Sequence, residues 1–290
     1  MFNFNDIKNR RSTKRMRYSF LFSVFIFFIS CKKENKISYV NQKDIPLAEY
    51  NELIALCDTV SLKTYEDFDT RIARIQEIFS LHNDKRGAFP TVYKAITNTA
   101  VISLAHQDYQ DNAYTLKFSI EFSKRYLYYL KHHLLNEPLE YHWDLYYNHA
   151  MNNTTITRLV LEGINAHVTI DMTRALAQTG AYRNYQSDWL LFGDKTVASV
   201  PDFLIELKEE YHTDASGIFN VFFIGDIVDS VFGAGATINF GFNVLRMDAF
   251  NNALFMIQST NDQQIETNLK KSFYDRETIF DALDKMKLTP

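Results

Sequence analysis

His167 and Asp171 stand four residues apart in a stretch of helical periodicity, so their side chains are neighbours on one face. An imidazole beside a carboxylate is the elementary unit of general acid/base chemistry. The same spacing suits two ligands of a divalent metal such as zinc. A complete metal site needs three or four ligands. His106, His132, His133, His142, His149, Asp226 and Asp229 offer no second diagnostic spacing. His142 and His149, two turns apart beside Trp143 and Tyr146, read as surface or amphipathic positions. His132 and His133 suit the C-terminal end of a helix dipole.

The pair interrupts an apolar face. Along Asn153 to Gln178, at about 100° per residue, Ile156, Leu159, Val160, Gly163 and Ile164 share one side. Arg158, Glu162, Asn165 and Thr169 share the other, the side expected to face water. Continued toward the C-terminus, the apolar side meets His167, Ile170, Asp171 and Arg174. Two other helices repeat the anomaly. Arg125 lies within the stripe Phe118, Phe122, Tyr126, Tyr129, with Glu121 beside it. Arg246 lies within the stripe Phe242, Leu245, Ala249, Phe250, Ala253. Burying a charge is costly unless it is paired or bound to metal, so these groups must meet partners. An active site built on His167, Asp171, Arg174 and Arg246 is one reading. A salt-bridge network that fixes helix registry, joining Asp171 to Arg246 or Arg125, explains the same charges. Either way Asp171 is expected to touch a cation, Arg246 or a metal shared with His167. Gly163 one turn earlier lets something approach closely. Gly-x-Ser-x-Gly, His-Glu-x-x-His and P-loop motifs are absent from the sequence.

The elements that must position these residues are helices almost throughout. Helical patterning covers Ile45–Val60, Thr64–Leu81, Phe89–Leu104, Ala113–Leu135, Tyr141–Tyr147 and Asn153–Gly180. It continues in Lys195–Tyr211, Gly217–Val231, Ile238–Ile257 and Gln264–Met286. Asp111 or Asn112, and Asn152 or Asn153, can cap helices, and Gly180 suits a helix end. No alternating strand pattern is convincing. The fold class is all-α, a single multi-helix globular domain of about ten helices over residues 45–290.

The N-terminus carries different information. Arg10, Arg11, Lys14, Arg15 and Arg17 precede the apolar run Tyr18–Ile29, then Ser30 and Cys31. This is the pattern of a signal peptide over residues 1–30, and Met16 makes a compact alternative start. The run is short for a membrane span of about 20 residues. Phe28-Ile29-Ser30-Cys31 resembles the bacterial lipobox, which implies lipid on Cys31 after cleavage. Residues 31–44 then form a polar tether. The partner is a membrane reached through that lipid. The location is the cell envelope, either periplasmic or surface-exposed on an outer membrane. Cys57 is left alone, so no disulfide can form within the mature chain. Of 31 basic and 35 acidic residues, six and one fall in residues 1–30, so the mature chain is near −9. That charge argues against nucleic acid as a partner of the whole domain.

Glu162-Gly163-Ile164-Asn165-Ala166-His167-Val168-Thr169-Ile170-Asp171 resembles the Gly-hydrophobe-Asn-Ala-His-hydrophobe-Asn-x-Asp signature of the bacterial family of unknown function numbered 5995. Asp84 to Phe89, Phe118 to Leu130, Trp143 and Leu245 to Ala253 fit its other segments in order. Thr169 stands where the family often has Asn, and Phe250 where it often has Trp. The resemblance spans roughly Phe68 to Phe255. It implies a mostly helical fold, a motif of Gly163, Asn165, Ala166, His167 and Asp171, and no assigned activity. Two functions of different class remain open: a non-catalytic binding or structural envelope lipoprotein, and a metal-dependent or acid/base hydrolase.

Overall fold

Thr64 begins the pattern that recurs through the structure, a short polar side chain closing a helix start. Its hydroxyl accepts from the Asp67 amide, and Asp111, Thr155 and Asn261 close later helices in the same way. The computed structural model describes residues 45–222, 236–259 and 261–289. Side chains at 220–243 and 262 are not among those described. The expected signal peptide, Cys31 and tether all lie outside the described residues. The described residues fall within one compact unit.

The helices are α1 (Leu47–Leu56), α2 (Tyr65–Leu81), α3 (Ala88–Ala105), α4 (Asn112–Leu134), α5 (Tyr141–Ala150) and α6 (Ile156–Asn165). They continue as α7 (Met172–Thr179), α8 (Gln186–Val197), α9 (Val200–Tyr211), α10 (Ser216–Phe222), α11 (Ala236–Gln258) and α12 (Asp262–Lys285). Among the described residues there is no strand, and the fold is all-α.

Helix α3 is central, packed on α2, α6, α8 and α9, and α11 lies across α7 and α8. The core is aromatic: Phe68, Phe118, Tyr126, Trp143, Tyr146 and Trp189 are all fully buried or nearly so. Tyr146 Oη donates to the Arg86 carbonyl and accepts from the Phe89 amide, at 2.9 and 3.1 Å. These bonds fix the start of α3 from α5. Gly180 ends α7 with φ 83°, the left-handed conformation that glycine adopts without strain.

Several boundaries differ from the sequence pattern, among them the end of α1 at Leu56 and not Val60. Lys195–Tyr211 is not one helix. A turn at Ala198–Ser199 separates α8 from α9, and α8 begins at Gln186, in a stretch the periodicity left blank. Thr155 caps α6, not Asn152 or Asn153. Among the described residues, no helix is long and apolar enough to cross a membrane.

Candidate functional site

Between α6 and α7 the helix does not break but widens. Ala166–Asp171 forms a π turn, so His167 and Asp171 both sit in it. In a π turn hydrogen bonds run from i to i+5, which inserts one residue and brings side chains four apart closer to register. His167 Nδ1 lies 3.0 Å from Asp171 Oδ2. Gly163, on the preceding turn, faces Phe89. A Cβ there would stand 2.6 Å from that ring, and Phe89 in turn packs edge-on against His167.

Asp171 is fully buried, and its partners differ from those expected. Helix α5 supplies them: Trp143 Nε1 donates to Oδ2 at 2.9 Å, and His142 Nε2 lies 3.3 Å from Oδ1. His142 is therefore a core residue with no exposed surface, not a surface or amphipathic one. Burial raises the Asp171 carboxyl, but hydrogen bonds from His142 and His167 outweigh it and hold the group well below the usual carboxylate range. An ionised carboxylate only accepts, so both imidazole nitrogens facing it carry hydrogen. Burial lowers the His167 imidazole, against the pull of Asp171. His167 is thus neutral near pH 7, protonated on Nδ1 and bare on Nε2. That Nε2 has no hydrogen-bond partner among the described residues, although His167 is 2% exposed.

His167 lies in the wall of a cavity of about 50 Å³, room for roughly three or four waters. Phe89, Tyr93, Phe122, Ile164, Phe192 and Phe203 line it, so the wall is almost wholly apolar. Phe122 stacks on the His167 ring at 3.7 Å. Arg246 and Thr196 also line it. Arg246 Nη1 donates to Thr196 Oγ1 at 2.8 Å, and burial brings the guanidinium down to about 10. Gly193 makes room for it, since a Cβ there would run into the guanidinium.

The structure brings His167 and Arg246 to one cavity but does not pair Arg246 with Asp171. Arg125 also lies elsewhere, donating to Gln178 at 2.6 Å. Arg174 binds Glu140 at 2.8 Å and Glu266 at 2.7 Å on the half-exposed rim. Both arginines point to carbonyl or carboxylate oxygens nearer the surface, where their charge is better hydrated. As for metal, His167 and Asp171 are hydrogen-bonded to each other. Among the described residues no three His, Cys, Asp or Glu groups converge to hold an ion.

The face of α6 expected to be exposed is buried as well. Arg158, Glu162, Asn165 and Thr169 are each under 5% exposed, because α12 covers them. Arg158 Nε donates to Glu162 at 2.6 Å, and Arg158 Nη2 donates to Glu277 at 2.9 Å. Asn165 Nδ2 donates to Glu277 at 2.7 Å, and Asn165 Oδ1 accepts from the Thr169 hydroxyl at 2.7 Å. The signal was present in α12. The stripe Ile265, Leu269, Phe273, Glu277, Phe280 is apolar but for Glu277, the same anomaly that singled out His167.

The signature residues thus serve two layers: Gly163 admits Phe89, Asn165 engages α12, and His167 with Asp171 occupies the π turn. A sequence model of one family matches residues 66–279. The chain belongs to the family of unknown function DUF5995. The DUF5995 match runs from α2 into α12 and covers all of His142, Trp143, His167, Asp171, Arg246 and Glu277. No curated protein and no solved structure matches the chain.

Proposed function

We propose that this DUF5995 protein is a lipid-anchored envelope protein whose helical domain holds an acid/base site, with His167 as the base. The observation that carries the reading is His167 Nε2, a buried nitrogen without a partner among the described residues, on a side chain that lines an apolar cavity. Asp171 fixes the ring and its tautomer, and His142 and Trp143 fix Asp171. A bare Nε2 can take a proton from a water or hydroxyl group that reaches it. The resulting imidazolium is stabilised by the Asp171 carboxylate, and Arg246, which lines the same cavity, is a cation available to the oxyanion left behind. Ester hydrolysis by a deprotonated water is the reaction class that suits this arrangement. The anchoring rests on the basic start, the short apolar run and Ser30-Cys31.

The test is a panel of chromogenic acyl and phosphoryl esters. Wild type should turn over at least one class, with a rate that rises with pH and levels off once His167 is neutral. His167→Ala should lower that rate by about 10²–10⁴-fold. No turnover of any ester would overturn the reading.

One observation favours a second reading. His142 Nδ1 is also without a partner among the described residues, yet His142 is not in the cavity wall. The cluster would then fix helix registry in a non-catalytic binding protein. In that case, His167→Ala would change the melting temperature and nothing else.

A further inference from the structure

Helix α12 is held against the signature helix by a buried cluster with too few cations. Glu162 and Glu277 are 1% and 5% exposed, and one arginine, Arg158, bridges them. Glu277 uses both oxygens, one on Arg158 and one on Asn165. Glu162 uses only Oε1, shared by Arg158 and by His149 Nδ1 at 2.6 Å, and its Oε2 has no partner among the described residues. The groups facing this cluster come from three helices. From α5 comes His149, half-exposed at the rim. From α6 come Arg158 and Glu162. From α12 come Glu277 itself, Asp281 at 3.0 Å and Asp284 at 3.7 Å from Arg158, and the Phe280 ring under the guanidinium. Arg276, next along α12, turns away to Thr169 and Asp248.

Two buried carboxylates against one guanidinium leave a surplus negative charge, to which the two rim aspartates add. A proton must make up the balance, on Glu277 or on His149. We infer that the Arg158–Glu162–Glu277–His149 cluster is a proton-dependent clamp, by which α12 is docked on the π turn that carries His167. Burial and the neighbouring Glu162 push the Glu277 carboxyl up to about 7, against Asn165 and Arg158. The hydrogen bond to Glu162 raises His149 above its ordinary value. Both shifts favour the protonated form on folding, so between the unfolded and folded titrations the folded chain binds more protons than the unfolded one. Their contribution is present at lower pH and is lost as pH rises through about 7. Asn165 and Thr169 pass the effect on, since each bonds to α12 from beside His167.

The clamp rests on the α6–α12 seam, and only its consequence for His167 depends on the acid/base reading. Hydrogen exchange of α12 amides in the full chain, without any substrate, separates the two. After correction for intrinsic rates, wild-type α12 should exchange at least several-fold faster at pH 8 than at pH 6. Glu277→Gln keeps the shape without the charge and should exchange alike at both. Glu162→Gln removes the surplus charge from the other carboxylate and should do the same, which keeps the test sound if the first variant folds poorly. His167→Ala should leave the wild-type pH response intact. Equal protection of wild-type α12 at both pH values would overturn the clamp. So would a pH response in both glutamine variants as large as that of wild type.

Discussion

Phe89 lies so close to Gly163 that a Cβ on the glycine would stand 2.6 Å from the phenyl ring. Phe89 is itself part of the wall around His167, 5.4 Å from the imidazole. The glycine of the signature therefore sets the position of a ring that bounds the cavity. Gly163→Ala should destabilise the domain by about 1–3 kcal/mol through overpacking, measured by chemical denaturation. Helix propensity alone would make alanine the more stable choice, so a stabilised variant would contradict the packing.

Asp171 accepts from three side chains in a site without water contact. Asp171→Ala leaves those donors buried and unpaired, and should cost about 3–5 kcal/mol. The pH dependence has a definite sign. The folded carboxyl titrates below the unfolded one, so its stabilisation is present above pH of about 4 and is lost as pH falls further. Asp171→Asn should remove that acid-limb component. Parallel acid-denaturation curves for the two proteins would show that Asp171 is not the ionised centre of the cluster.

Gly193 separates function from stability. An added methyl displaces the far end of the flexible Arg246 side chain, not backbone. Gly193→Ala should shift stability by less than about 1 kcal/mol, since alanine also favours helix. Any ester turnover should nevertheless fall, because the cation leaves the cavity wall. Full activity in this variant would show that Arg246 plays no part in the reaction.

Anchoring has its own test. Two or more acyl chains hold a protein to a bilayer far more firmly than one. Wild type should partition with membranes and take up labelled palmitate, whereas Cys31→Ala should do neither. Equal labelling of both would contradict lipidation at Cys31.

Much of the fold is legible in the sequence because an aromatic core imposes a helical period on nearly every segment. The bounds of α2, α3 and α4 fall within a residue or so of the pattern. The α8–α9 turn is signalled by Pro201, which cannot sit in a helix interior but suits the first turn of α9; the unbroken apolar period over residues 195–211 masks that signal. At the site, charges on an apolar face point to His167, Asp171 and Arg246. Their partners do not follow from one helix at a time. His142 and Trp143 reach Asp171 from 28 or 29 residues away, and which faces meet is set by packing. The polar face of α6 misleads for the same reason. Arg158, Glu162 and Asn165 look solvated until α12, over a hundred residues later, covers them.

The acid/base site stands or falls on the state of the His167 ring, which nitrogen-15 NMR of the histidine side chains reads directly. At pH 7 His167 should be neutral, with hydrogen on Nδ1 and a bare Nε2, and should protonate only below the ordinary histidine range. An imidazolium at pH 7, or hydrogen on Nε2, would leave no base in the cavity and would contradict the account.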